Sequence, residues 1–155
     1  MGYKMHICTQ LGSNVERLLA PWKPCTTNSV YVQVVNDVAM VLEHMHGAGL
    51  VHRNVKPSHI VQHPRTQTWM LIDFSSTATA GQLVPLEYTL QYAAPESVKE
   101  MTVGGGSHLA TTGLDAWSLG VVTYELLTGA PWAAQLDDNL VIPHIVAALN
   151  LTRRW

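Results

Sequence analysis

A chain of 155 residues has room for one domain with its own core. Its net charge of −2 and the lack of any basic stripe give nucleic acid or an anionic membrane no electrostatic handle. Hydrophobic residues, at 47%, are ordinary for a globular protein, whereas charged residues are only 13% against a usual share of about 25%. That shortage has two readings, surface normally covered by a further lobe or partner, or plain composition bias. Cys8 and Cys25 have neither CxxC nor metal-ligand spacing, so buried thiols in a reducing compartment are expected. The start shows no basic segment followed by an apolar run, and no apolar run approaches about 18 residues. A soluble, cytoplasmic protein is the expectation.

In chain order, Ser13 and Glu16 form a capping box that starts a short helix through Leu19, ended by Pro21. Thr26, Thr27 and Asn28 offer N-caps for a long helix from about Ser29 to His46, stopped by Gly47 and Gly49. Its apolar stripe is Val34, Val35, Val38, Leu42 and Met45, at three- and four-residue steps. The valines between Val30 and Val41 lower intrinsic helix propensity, so burial must hold this helix. Short apolar pieces follow at Leu50-Val51, Ile60-Val61 and Met70-Leu71-Ile72, the last two separated by a polar turn at His63 to Thr68, which predicts a small hairpin.

Ala78 to Leu90 has no clear period and reads as an irregular loop, and Gly104-Gly105-Gly106-Ser107 as a flexible insert. Asp115 to Thr128 is predicted helical, with Gly129 after its end and Pro131 beyond. Gly120 inside it costs about 1 kcal/mol relative to alanine, which predicts close packing or a function there. Asn139 to Leu149 is a last amphipathic segment, interrupted by Pro143.

Four blocks carry the chemistry: VHRNVKPSHI (Val51 to Ile60), LIDFSS (Leu71 to Ser76), YAAPE (Tyr92 to Glu96) and LDAWSLGVVTYELLTG (Leu114 to Gly129). In this order and spacing they resemble the HRD-x-K-P-x-N, DFG, APE and D-x-W-S-x-G signatures of a eukaryotic-type protein kinase. MHGAGLVHR (Met45 to Arg53) is similar to the family's approach to that first signature. Any one block would be a weak signal; four in order are a strong one. The resemblance implies an α+β, mainly α fold: the C-terminal lobe of a protein kinase, helical, with a small β-hairpin at the catalytic loop. Residues 1–155 would then be a partial kinase domain, from the hinge region to just past the central helix, with the N-lobe missing.

Phosphoryl transfer from ATP needs a phosphate cradle, magnesium held by oxygens and a base for the incoming hydroxyl. Where the family keeps its catalytic aspartate, this chain has Asn54, whose carboxamide can hydrogen-bond a hydroxyl but cannot take its proton. Losing a positioned base typically costs about two to four orders of magnitude in rate. Lys56 matches the lysine that steadies the transferred phosphate in serine/threonine-type kinases, against the bland reading of a surface lysine. Asp73 matches the magnesium-chelating aspartate of DFG. His59 stands where the family has an asparagine ligand for a second magnesium, and imidazole nitrogen suits a hard cation poorly. His59 with Asp73 could serve a softer metal such as zinc or manganese, but two ligands do not make a site, and a structural or solvent-facing histidine is the simpler reading.

Further matches are implied by the same resemblance. Phe74 would pack on His52 and be buried; Ser75, replacing the DFG glycine, hints at a locked loop. Arg53 completes the first signature, and Thr89 would lie beside Asn54 and Lys56. Glu96 normally pairs with an arginine of a late helix; buried without it, a carboxylate would cost about 3–5 kcal/mol. Asp115 would accept backbone hydrogen bonds from the His52-Arg53-Asn54 loop, with Trp117, Ser118 and Gly120 completing that scaffold. Ile60 and Val61 would form a floor under adenine. No Gly-rich phosphate loop and no V-A-I-K lysine is found.

The resulting expectation is a kinase-like fragment, catalytically impaired, acting as a binding or scaffold module for protein partners, an N-lobe or a kinase among them. ATP and magnesium binding would be weak or absent. The alternative is a serine/threonine protein kinase, or a piece of one, active only with an N-lobe supplied. A third possibility is a truncated product without a stable fold.

Overall fold

The computed structural model describes Val15, residues 29–87 and residues 89–132. The capping box at Ser13, both cysteines and the segment Asn139 to Leu149 lie outside the described residues.

The long helix forms as its periodicity dictates. α1 (Ser29–Gly47) buries Tyr31, Val34, Val38, Leu42 and Met45 on one face, with Val35 partly covered beside them. It ends in a turn through Ala48, and Gly49 then takes φ 74°, a conformation glycine adopts at no steric cost. The second long helix, α3 (Thr112–Thr128), buries Leu114, Val121, Val122 and Leu126, together with Asp115, Ser118 and Glu125. Gly129 caps it at φ 66°, its amide donating to the Glu125 carbonyl. α1 and α3 pack on each other, with Val15, Val55, Ile60, Trp69 and Leu71 filling the shared core. This apolar cluster, more than helix propensity, holds the valine-rich α1 together.

Between the two helices run three antiparallel strand pairs. β1 is Leu50–Val51, β2 Ile60–Gln62, β3 Trp69–Leu71, β4 Ala78–Thr79, β5 Leu83–Pro85 and β6 Ser107–Leu109. The expected hairpin is present: β2 pairs with β3 across the polar turn, in the register Ile60 with Leu71. Asp37 of α1 anchors it by accepting the Trp69 amide at 2.8 Å. α2 (Pro95–Thr102) opens with proline at its first position, where no amide partner is needed.

Three expectations need correction. The stretch Ala78 to Leu90 is not irregular throughout: β4 pairs with β1 and β5 with β6. The glycine-rich segment is a tight connection, with the Gly105 amide on the Glu100 carbonyl and Gly104 at φ 79°. Gly120 is exposed, and a Cβ there would meet nothing within 4 Å, so close packing does not explain it.

Candidate functional site

The site is assembled around one carboxylate. Asp115, fully buried near the start of α3, accepts the His52 amide at 2.8 Å and the Arg53 amide at 2.7 Å. His46, in the last turn of α1, brings its Nε2 to 2.9 Å from the same side chain. These bonds hold the loop after β1 in place and hold Arg53 at φ 67°, a left-handed conformation that costs a non-glycine residue about 1–3 kcal/mol. The Arg53 guanidinium then donates to the carbonyls of Ser76 and Pro85, tying the segment before β4 and the end of β5 to this loop.

The ring of His52 is fully buried and its tautomer follows from its neighbours. The Ile72 carbonyl can only accept, so Nε2 carries the proton, at 3.3 Å. Nδ1 is therefore the acceptor for the Asn54 amide, at 3.2 Å. Burial pushes the His52 pKa down; Asp115, the Ile72 carbonyl and Asp73 oppose this, and His59 adds to it. A neutral ring fits both hydrogen bonds.

The loop presents the candidate residues on one rim. Lys56 Nζ donates to Thr89 Oγ1 at 2.9 Å, so Thr89 does lie beside the catalytic-loop segment. His59, mostly buried, donates from Nδ1 to the Asn54 carbonyl at 2.9 Å, while its Nε2 lies 3.4 Å from Asp73 Oδ2. Asp73 takes φ 65° and ψ 72°, and Ser75 donates from Oγ to Asp73 Oδ1 at 2.6 Å. Backbone strain thus sits at Asp73 and Arg53; Ser75 lies in a 3-10 turn (Phe74–Ser76) with no positive φ. The Ser75 hydroxyl locks the aspartate by a hydrogen bond, not by restricting its own backbone.

Two expected burials fail. Phe74 does meet His52 edge-on, with ring centroids 5.2 Å apart, but it is 52% exposed. One ring contact fixes its direction without covering its other face. Glu96 is exposed in the first turn of α2, where the helix N-terminus favours a carboxylate, so no buried-charge penalty arises. Ile60 and Val61 are 0% and 2% exposed, Ile60 within the central core, so neither offers open surface to a base.

Sequence reasoning passed over two polar pairs. Glu125, buried on α3, accepts the Tyr92 hydroxyl at 3.0 Å; desolvation raises its pKa, while Tyr92 and the Trp132 backbone oppose the rise. Its signal was an acid within the apolar run Val121 to Leu127. Ser97 of α2 and His108 of β6 pair at 2.8 Å in a buried setting, with His108 Nε2 left without a partner. Nothing local in the sequence announces that pair. Trp117, of the expected scaffold, meets Trp132 edge-on at 6.4 Å, and Ser118 donates to the Tyr92 carbonyl.

The loop thus brings a lysine, a hydroxyl, an aspartate at positive φ and a carboxamide to one rim. Comparison with known proteins agrees with the geometry. A sequence profile described as "Protein kinase domain" matches residues 4–153. Mouse serine/threonine-protein kinase SBK2 is 40% identical over 105 residues, covering 66% of this chain and 29% of that protein. A probable myosin light chain kinase of Dictyostelium discoideum is 32% identical over 120 residues, 74% of this chain and 32% of the relative. Crinkler effector protein 8 of Phytophthora infestans is 28% identical over 124 residues, 80% of this chain and 20% of the relative. The matched stretches thus make up only a fifth to a third of these relatives. The four signature blocks, the Asp115-anchored loop and the profile match place the chain in the protein kinase domain family.

Proposed function

We propose that this chain is the C-terminal lobe of a protein kinase domain, partial from residue 1 to 155, with impaired phosphotransfer, and that it works by binding protein partners. The single observation that carries this reading is Asn54: the Asp115 scaffold delivers the catalytic-loop backbone, and the residue delivered has no side-chain proton acceptor. The substitution at His59 points the same way. Magnesium wants an all-oxygen octahedral shell, which Asp73 suits and His59 does not, so the pair as built does not fit the family's two-metal arrangement.

The cytoplasm is the proposed setting; among the described residues no helix is long and apolar enough to cross a membrane. The second reading, a serine/threonine kinase piece completed by an N-lobe, is favoured by Asp73 and by the Lys56–Thr89 contact. Thermal unfolding with ATP and magnesium separates the two. The scaffold reading expects a melting temperature unchanged by nucleotide. A rise on adding ATP with magnesium, abolished by Asp73→Ala, supports the crippled-enzyme reading instead. Within an assembly that includes an N-lobe, Asn54→Asp then gains about two to four orders of magnitude in turnover if the second reading holds.

A further inference from the structure

The two edges of the β5–β6 pair are treated differently. Bonds from the Ala110 amide to the Gln82 carbonyl and from the Leu86 amide to the Gly106 carbonyl flank the ladder, so Val84 and His108 form its hydrogen-bonded pair. Leu83 and Pro85 on β5, and Ser107 and Leu109 on β6, therefore turn their backbone groups outward. At Pro85 the outer edge of β5 is closed: proline has no amide, and the Arg53 guanidinium takes its carbonyl. Along β6 no third strand joins the sheet among the described residues. β6 also carries neither the lysine nor the proline that commonly protects an exposed edge.

A groove beside this edge is lined by Leu83, Ser107, His108 and Leu109 of the strands and by Glu96 and Glu100 of α2. Leu83 and Leu109, paired across the strands, are 66% and 55% exposed. Glu96 is exposed and Glu100 half-buried, and neither forms an ion pair among the described residues. His108, 7% exposed, faces α2, with Nδ1 on Ser97 Oγ at 2.8 Å and Nε2 left without a hydrogen-bond partner. Apolar surface, unpaired acid and open hydrogen-bonding atoms thus lie side by side.

We propose that this groove docks an extended segment of a partner protein, alternating arginine with apolar residues, as a third strand along β6. Main-chain bonds to Ser107 and Leu109 give such a strand its affinity, and its alternate side chains give specificity. Residues two apart on a strand stand about 6.6–6.8 Å from each other, close to the roughly 5–6 Å between side chains four apart on a helix. Two arginines of the segment therefore reach Glu96 and Glu100 together. The apolar residues between them turn to the opposite face, where Leu83 and Leu109 lie, just as β6 turns His108 toward α2 and Leu109 toward solvent. The inference gives the binding-module reading a surface and rests on that reading for its biological meaning. The groove itself does not involve Asn54, so binding read without nucleotide is separable from any phosphotransfer.

Fluorescence anisotropy of a labelled peptide alternating arginine and valine tests it. The wild-type chain binds the peptide, and Glu96→Gln combined with Glu100→Gln weakens binding about tenfold, as the loss of two exposed ion pairs allows. Leu109→Ser weakens it as well. Of two peptides N-methylated on alternate amides, one loses binding and the other keeps it, because only one set of amides faces β6. No binding, an affinity indifferent to the two glutamates, or equal effects of the two methylation patterns overturns the proposal. Dimerisation of the chain that Leu109→Ser abolishes would put a second copy on this face and overturn it too. So would a gain in peptide affinity on replacing Arg153 and Arg154 by alanine, which would assign the groove to the chain's own end. Should the variants not fold, the isotope-labelled wild-type chain decides: the amide signals of Ser107 and Leu109 shift as peptide is added, and unchanged signals overturn the proposal.

Discussion

The surroundings of Asp115 and the rim holding Asn54, His59 and Ser75 lie within one loop's reach of each other, yet they carry opposite messages. Around Asp115 the anchoring contacts are all made: a buried carboxylate meets two loop amides and a histidine at the end of α1, at 2.7–2.9 Å. On the rim Asn54, His59 and Ser75 depart from the family signatures, while Lys56 and Asp73 match them. The lesson is that the scaffold and the reacting groups answer to different constraints. Replacing Asp115 would strand buried donors; replacing a base by its amide at Asn54 leaves every backbone hydrogen bond of the loop intact. A fold and the reaction it hosts are held by different atoms.

Mutations can break that contrast. Asp115→Ala should cost about 3–5 kcal/mol in urea unfolding, since it orphans one buried amide, one partly buried amide and His46. Asn54→Ala should cost less than about 1 kcal/mol. Comparable losses at the two positions would mean that the rim is also structural.

A smaller effect sharpens the boundary between the regions. Arg53→Ala removes the bridge to the Ser76 and Pro85 carbonyls and should speed amide exchange at Val84 and Leu86, by about 1–2 kcal/mol of local opening. Unchanged exchange there would show that the pairing of β5 with β6 holds the segment by itself.

The smallest expected effect is a pH slope. Burial lowers the pKa of His108, with Arg53 adding to the effect and Glu96 and Glu100 opposing it. The unfolded chain therefore binds a proton more readily than the folded one. This contribution is intact above the unfolded value of about 6.5 and is lost as pH falls from there toward the lower folded pKa. The melting temperature should drop between pH 7 and pH 5, and His108→Asn, which does not titrate, should flatten part of that drop. Glu125, with its raised pKa, acts in the opposite sense: its contribution is lost as pH rises from about 4.5 toward the folded value.

Much of this was legible in the chain itself, for local reasons. α1 and α3 show their buried faces at helical spacing, and β2 and β3 flank a polar turn that can only close a hairpin. The loop anchored on Asp115 was legible only through resemblance, since His52 and Asp115 are 63 residues apart and no period links them. β4, β5 and β6 were not legible at all. Strands of two or three residues carry no alternation, and β5 finds β6 across an intervening helix. Burial at Phe74 and Glu96 was misjudged because burial depends on everything packed around a side chain, whereas the motif fixes only its direction.

The most direct test of the central claim is transfer of radiolabelled γ-phosphate from ATP to a protein or peptide substrate, with the Asp73→Ala chain as blank. Wild type and blank should be indistinguishable, because the residue at position 54 cannot accept the hydroxyl proton. Incorporation by the wild-type chain that disappears in the Asp73→Ala chain would contradict the account.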